Sequence, residues 1–166
     1  MSSDFTLQRK LTLRSGNRKL VLWKKRNERI EHVLMKAFLW GLYLPIYDDL
    51  LVEYAIGDRY KPDVISLDAL GEPLFWGEAG KVGKDKLRTL FKRYPRTDFA
   101  IAKWNTRLEP YREIINELLT GSSRSGQVHL INFPADAAER FIRSNGEISV
   151  TLSQLEVICF PPRSNS

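Results

Sequence analysis

The segment from residue 62 to residue 81, PDVISLDALGEPLFWGEAGK, contains two apolar runs separated by a turn rich in glycine and proline. Both runs alternate with period two, so we predict adjacent strands over residues 63–68 and 74–80. Each strand places one acid, Asp63 or Glu78, on a face that is otherwise apolar. An unpaired carboxylate in that position costs several kcal/mol, so each acid requires a cation, hydrogen bonds or a raised pKa.

The rest of the chain alternates between strand-like and helix-like patterns. We predict a hairpin of residues 5–13 and 20–23, a helix capped by Asn27 that ends near Pro45, further helices at 85–94, 110–120 and 135–144, and strands at 50–56, 99–104, 128–133 and 148–160. This order is typical of one α/β domain with a mixed sheet. We therefore predict a single domain over residues 1–166, with residues 161–166 as a flexible tail.

Composition restricts the class of protein and the kind of metal site. The 166 residues include one cysteine, Cys159, and two histidines. One cysteine forms no internal disulfide, and the N-terminal segment lacks the pattern of a secretory signal, so we expect a cytoplasmic protein. The longest apolar stretch, residues 33–47, is shorter than the roughly 20 residues of a membrane span, and we expect no membrane contact. A zinc site of the usual type lacks ligands, so any bound metal would have oxygen ligands.

Charge is distributed in blocks along the chain. The whole protein carries a net charge of +6, with +7 in residues 1–29, −5 in residues 30–81, +6 in residues 82–112 and −2 in the remainder. Basic blocks around an acidic centre are what a protein that binds a polyanion beside a carboxylate-bound cation would have. A basic, solvated surface without a partner accounts for the same numbers.

A third acid joins Asp63 and Glu78 on the helical periodicity. At 100° per residue, Glu31 falls inside the apolar arc of the first helix, and Glu28 falls at its margin. Adjacent strands lie about 5 Å apart, so Asp63 and Glu78 could share one Mg²⁺ or Mn²⁺, with Glu31 as a third ligand or outer partner. As a purely structural alternative, Asp63 caps a turn, Glu78 ends a strand and Glu31 complements the helix dipole.

These residues resemble a known nuclease motif. Asp63 after a proline, Glu78 fifteen residues later and Lys81 close behind resemble the motif of the PD-(D/E)xK, or restriction endonuclease-like, superfamily. Within it, the segments at 27–40, 75–80, 85–93, 128–133 and 135–144 resemble the YaeQ family over nearly the whole chain. The resemblance implies a three-layer α/β fold with a central mixed sheet flanked by helices. It also implies an acidic site at Glu31, Asp63 and Glu78, with Lys81 as the catalytic lysine beside the two strand acids.

The lysine of the motif is displaced in this sequence. In the superfamily it stands two residues after the acid, a place that Gly80 occupies here. Lys81 would face the opposite side of the sheet unless Gly80 allows a bulge. Otherwise the role would pass to Lys103, to Lys84 or to no lysine.

Other polar and aromatic residues have more ordinary interpretations. The helix at 85–94 presents a basic face that would either contact nucleic-acid phosphates or be solvated, formed by Lys84, Lys86, Arg88, Lys92 and Arg93. We expect His32 to be solvated on the polar margin of its helix, His129 to have a core or surface role, and the four tryptophans to pack in the core. The glycines at 77–83 lack the spacing of a phosphate loop, so no nucleotide cofactor is expected.

Two functions follow from the sequence. The first is a Mg²⁺-dependent or Mn²⁺-dependent nuclease that hydrolyses phosphodiester bonds of DNA or RNA. The second is a catalytically inactive protein of the same fold that binds nucleic acid or a protein partner, which the displaced lysine favours.

Overall fold

The computed structural model describes residues 9–164, so residues 5–8 of the predicted hairpin and the last two residues of the predicted tail lie outside the described residues. The strands are β1 (Arg9–Ser15), β2 (Arg18–Lys24), β3 (Leu51–Val52), β4 (Val64–Leu67), β5 (Pro73–Ala79), β6 (Asp98–Trp104), β7 (Val128–Phe133) and β8 (Glu156–Phe160). The helices are α1 (Ile30–Tyr43), α2 (Lys84–Arg93), α3 (Glu109–Leu119) and α4 (Ala137–Phe141).

Six strands form one mixed sheet in the order β3-β4-β5-β6-β7-β8. The central pairs β5–β6 and β6–β7 are parallel, and the outer pairs are antiparallel. Strands β1 and β2 form a separate antiparallel hairpin, the β1–β2 ribbon, which packs against α1. The parallel pairs are connected through α2 and α3, as the crossover of a parallel pair requires.

Two hydrophobic clusters cover the two faces of the sheet. On one face, α1, α4 and the β1–β2 ribbon pack on residues such as Phe75 and Ala100. On the other face, α2 and α3 pack on residues such as Trp76 and Ile101. The molecule therefore has three layers, which confirms the predicted α/β fold with a mixed sheet between helices. No helix within residues 9–164 is long and apolar enough to cross a membrane.

Strand β5 is buried on both faces and carries one of the predicted acids. Phe75 and Ala79 belong to the cluster under α1, whereas Trp76 belongs to the cluster under α2 and α3. Side chains alternate along a strand, so Glu78 shares the face of Trp76, as predicted. This alternation directs the Glu78 carboxylate toward α2.

The first helix begins later than predicted, because Asn27 is not its cap. The helix begins at Ile30 after Arg29, and Asn27 has a φ of +66°. Asn27 instead belongs to a tight turn in which the Glu28 backbone N–H donates to the Lys25 carbonyl over 3.0 Å. Asparagine tolerates this left-handed conformation, which competes with the capping role.

Three predicted elements are shorter than the pattern indicated. The strand at 50–56 stops after Val52, because Glu53 has a φ of +58° and its carboxylate binds Lys36 over 3.3 Å. The helix at 135–144 is confined to residues 137–141, because Ile142 leaves it to pair with Ile148 across a turn. The strand at 148–160 begins only at residue 156, after a 3-10 turn enclosed by a capping box.

One of the four tryptophans contradicts the prediction of core packing. Trp40 and Trp76 are buried and Trp104 is half-buried, but Trp23 on β2 is 61% exposed. Its cross-strand partner is Lys10, whose ammonium lies 5.9 Å from the centre of the indole ring. Trp23 therefore belongs to the outer face of the ribbon and not to the core.

A buried arginine fixes the C-terminal end of α2 to the sheet. Arg124 is 4% exposed, and its guanidinium donates to the carbonyls of Phe91 (2.7 Å), Tyr94 (3.0 Å) and Thr97 (2.7 Å). These include the last carbonyls of α2, where a cation also complements the helix dipole. Burial lowers the pKa of Arg124 to about 10, against the opposing influence of the Asp98 carboxylate.

We expect Arg124→Met to lower the free energy of unfolding by at least about 3 kcal/mol, because three buried carbonyls lose their donor. Urea unfolding followed by circular dichroism measures the loss. Arg88→Met is the matched control, since Arg88 is 43% exposed and pairs with Asp85 on the surface of α2. An equal loss in both variants would contradict the anchoring role of Arg124.

Candidate active site

Asp63 and Glu78 lie side by side where β4 begins and β5 ends. The antiparallel register pairs Val64 with Gly77, and the Asp63 backbone N–H donates to the Gly77 carbonyl over 3.1 Å. The Asp63 Oδ2 atom in turn accepts a 2.8 Å hydrogen bond from the backbone N–H of Ala79. The two predicted acids are therefore neighbours on adjacent strands.

The Glu78 carboxylate is buried and held by two donors. Its side chain is 5% exposed, Trp76 Nε1 donates to Oε2 over 2.8 Å, and Lys86 Nζ donates to Oε1 over 2.9 Å. Burial raises the pKa of Glu78, and the charge of Asp63 raises it further, against the two hydrogen bonds. The site thus contains a carboxylate pair whose mutual repulsion is only partly relieved by Lys86.

Lys103, one of the candidate lysines, lies beside Gly80 at the end of the neighbouring strand. Strand β6 pairs in parallel with β5, Ala79 opposite Ala102, so Lys103 lies next to Gly80. Lys103 Nζ donates to the Gly80 carbonyl over 2.7 Å and lies 4.1 Å from the ring centre of Tyr111. Burial lowers the pKa of Lys103 to about 8, although the charge of Glu78 opposes the shift. A strand that is distant in sequence thus places a lysine on the Glu78 side.

The two other candidate lysines have different surroundings. Lys81 follows Gly80, which has a φ of +82° outside β5, and its exposed side chain lines a cleft beside the site. Lys84 pairs with Glu117 on α3 over 3.0 Å. Lys103 is the candidate whose side chain is both buried and close enough to Glu78 for their charges to interact.

The N-terminal turn of α1 contributes a charged network that the sequence analysis missed. Glu28 Oε2 contacts Lys36 Nζ at 2.9 Å and His32 Nδ1 at 2.8 Å. Burial would raise the pKa of Glu28, but hydrogen bonds from the Lys25 backbone, Lys36 and His32 hold it at about 2. The His32 Nδ1 atom therefore contacts an ionised carboxylate, and its Nε2 atom lies 3.9 Å from Asp63 Oδ2.

The helical periodicity overestimated the burial of Glu31 and missed the partner of His32. Glu31 lies at the edge of α1 with 31% of its side chain exposed, and it pairs with Arg29 at 3.3 Å. His32 is half-exposed but bonded to Glu28, instead of being solvated. The spacing of Glu28, His32 and Lys36, four residues apart, was the available signal, since such residues share a helix face.

A cleft of about 750 Å³ opens beside these groups. Its lining combines the edge of α1, the turn after β5, the end of β6 and the start of α3. The lining residues are Arg29, Glu31, His32, Met35, Gly80, Lys81, Val82, Lys103, Trp104, Thr106 and Tyr111. Among residues 9–164, no three His, Cys, Asp or Glu side chains converge as a metal-binding group, so Glu31 does not join Asp63 and Glu78 as a third ligand.

The predicted basic face of α2 is largely engaged in ion pairs. Lys86 binds Glu78, Lys84 binds Glu117, Arg88 binds Asp85 at 2.6 Å and Arg93 binds Asp58 at 2.7 Å, whereas Lys92 is exposed. These pairs reduce the charge that α2 offers to a polyanion.

His129, the second histidine, bonds the Tyr43 hydroxyl over 2.7 Å, and burial lowers its pKa, against the charge of Asp98.

The fold is that of the YaeQ proteins. The structure aligns with YaeQ from Xanthomonas axonopodis pv. citri with a TM-score of 0.58 at 13% identity, covering 96% of this chain and 97% of that chain. It aligns with YaeQ from Pseudomonas syringae with a TM-score of 0.63 at 13% identity, covering 99% and 98%. No family model and no curated protein matches the sequence. The YaeQ likeness at this identity concerns the fold.

We expect Glu28→Gln to destabilise the protein by about 1–3 kcal/mol at pH 7, because hydrogen bonds to a charged group are lost. The pKa of Glu28 is lowered from 4.5 to about 2 on folding, so its stabilising effect exists above pH 4.5 and disappears as the pH falls through 2. Urea unfolding at several pH values should show wild type and variant converging in acid. Glu117→Gln, which removes an exposed carboxylate, is the control, and a pH-independent difference for Glu28→Gln would contradict the network.

Proposed function

We propose that this chain belongs to the YaeQ family and is a metal-dependent nuclease of the PD-(D/E)xK type, which hydrolyses phosphodiester bonds. One juxtaposition carries the proposal: Asp63, Glu78 and Lys103 meet at the ends of three neighbouring strands beside a cleft. Two carboxylates and a lysine supply a cation site and a positive charge for a reacting phosphate. The YaeQ fold supports the assignment to this family.

The donor set fits a hard divalent cation such as Mg²⁺ or Mn²⁺. Asp63 and Glu78 provide carboxylate oxygens, and Glu31 on the cleft wall, which does not converge with this pair, is proposed as an outer partner only. Each Glu78 oxygen accepts one hydrogen bond, which leaves lone pairs available. The raised pKa of Glu78, due to its burial and then to the Asp63 charge, is the strain that a bound cation would relieve.

The reaction assigns a separate task to each side chain of the cleft. When bound, the cation would polarise the phosphate and lower the pKa of the attacking water. Lys103, as an ammonium on the Gly80 carbonyl, would stabilise the charge that develops on a phosphate oxygen. Glu28 orients the His32 ring through Nδ1, so Nε2 is the ring atom that faces Asp63 on the cleft wall and could exchange a proton with a bound water.

A second function, nucleic-acid binding without cleavage, is favoured by a specific contact. Trp76 and Lys86 each donate a hydrogen bond to one oxygen of Glu78, so the Lys86 ammonium already supplies part of the positive charge that a metal ion would supply. If that pair persists when metal is added, the cleft would bind phosphate without activating water. The two functions differ in whether the bound nucleic acid is cleaved when metal is added.

We expect wild-type protein to cleave DNA or RNA when Mg²⁺ or Mn²⁺ is present. We expect Glu78→Gln to lower the cleavage rate by more than about 100-fold, because losing a metal ligand costs more than losing a residue that only hydrogen-bonds to a ligand. Gel assays of labelled single-stranded and duplex substrates measure this. Glu117→Gln controls for removing an exposed carboxylate. Cleavage that survives Glu78→Gln would overturn the residue assignment, and metal-independent binding without cleavage would favour the second function.

Substitution of lysines should distinguish Lys103 from Lys81. We expect Lys103→Met to slow cleavage by about 10²–10³-fold, as loss of a charge-stabilising donor does, and Lys81→Met to slow it far less. The pKa of Lys103 is about 8, so the wild-type rate should fall as the pH rises through 8 and the ammonium loses its proton. Initial rates from pH 6 to 10 measure this limb, and its persistence in Lys103→Met would contradict the role of Lys103.

A further inference from the structure

The outer face of the β1–β2 ribbon combines an aromatic ring with lysines and arginine. Cross-strand partners share a face, and the pairs on the outer side are Lys10 with Trp23, Thr12 with Val21 and Arg14 with Lys19. All six residues are exposed, whereas the alternate residues of the ribbon, such as Leu13 and Leu22, pack on α1. We call these six residues the ribbon face.

The ribbon face carries three cationic side chains, Lys10, Arg14 and Lys19, and no acidic one. Residues 9–26 contain eight lysines and arginines and no aspartate or glutamate. Within residues 9–164, Lys10, Arg14 and Lys19 form no ion pair with a carboxylate, in contrast to the paired basic residues of α2. The charge of this face is therefore available to a polyanion.

The exposed apolar residues of this face are not explained by the core. Trp23 is 61% and Val21 is 40% exposed, and they lie next to each other along β2 on the same side. Lys10 lies 5.9 Å from the Trp23 ring centre, so a positive charge stands beside the aromatic surface. An aromatic ring flanked by cations on a strand is the arrangement on which single-stranded nucleic acids bind, with bases on the ring and phosphates on the cations.

We propose that the ribbon face binds single-stranded nucleic acid, with a base stacked on Trp23 and the backbone phosphates on Lys10, Arg14 and Lys19. Stacking on Trp23 requires an unpaired base, so the proposal distinguishes single strands from duplexes, whose bases are already stacked. An acidic protein would pair with the lysines, but carboxylates would leave the indole ring of Trp23 without a stacking partner. A second copy of this chain would meet like charges.

The ribbon face is close to the cleft in sequence. Arg29, which lines the cleft, is six positions after Trp23, and six residues of extended chain span at most about 20 Å. A strand held on the ribbon face could therefore continue toward Asp63 and Glu78. Binding to the ribbon face is independent of catalysis, so it can be tested without metal.

Fluorescence anisotropy with a labelled 20-nucleotide single strand, without divalent metal, tests the proposal. We expect Trp23→Ala to weaken binding by about 5- to 150-fold, the range for losing one stacked base. The double variant Lys10→Gln with Lys19→Gln should reduce the slope of log affinity against log salt by about 1.4, from two lost phosphate contacts on a single strand. A duplex of the same sequence should bind more weakly than the single strand.

Matched variants make the experiment decisive. Arg59→Gln with Arg96→Gln removes the same charge from exposed positions outside both candidate binding faces, and Leu70→Ala removes an apolar side chain that is 89% exposed elsewhere. Equal loss of affinity in this control variant and the ribbon variant would overturn the proposal, as would duplex binding equal to single-strand binding. A dimer abolished by Trp23→Ala, with unchanged oligonucleotide affinity, would assign the face to a second copy. Cleavage assays remain separate, so failure here leaves the nuclease proposal untouched.

Discussion

Glu78 lies on a strand that is covered on both faces, so protein groups and not bulk water must compensate its charge. Trp76 Nε1 and Lys86 Nζ bond its two oxygens, and this requires α2 to pack with Lys86 directed at the sheet. Arg124 fixes the other end of α2 through its last carbonyls. The position of α2, and with it one layer of the fold, therefore depends on the same carboxylate that forms the centre of the site.

The lysine closest to the end of β5 comes from another strand and not from the residues that follow β5 in sequence. The positive φ of Gly80 carries the chain out of β5 before Lys81. Lys103 on β6 donates to the Gly80 carbonyl, so the ammonium beside the end of β5 comes from the neighbouring strand. A parallel strand pair makes this exchange simple, because residues in register face the same side of the sheet. The pattern of residues in a motif is thus a guide to chemistry only after the strand order is known.

The sequence predicted the fold where apolar periodicity was long and failed where polar side chains redirected the backbone. The strand at 128–133 matches its prediction, whereas Glu53 ends β3 with a positive φ and Thr151 caps a 3-10 turn that delays the start of β8. In the site, the adjacency of Asp63 and Glu78 followed from the short turn between their strands. The position of His32 in the site could not be predicted, because it depends on contacts with Glu28 before the helix and with Asp63, residues that a helical wheel does not include.

The buried ammonium of Lys36 joins Glu28 before α1 to Glu53 after β3, and its side chain is 3% exposed. The same Glu28 orients His32 on the cleft wall. The network that holds the N-terminal end of α1 therefore also orients a side chain of the cleft, which limits how these residues can evolve. A relative whose cleft served no function would still be under selection to keep Glu28 and Lys36, so retention of these two residues would reflect stability and would not indicate a functional cleft.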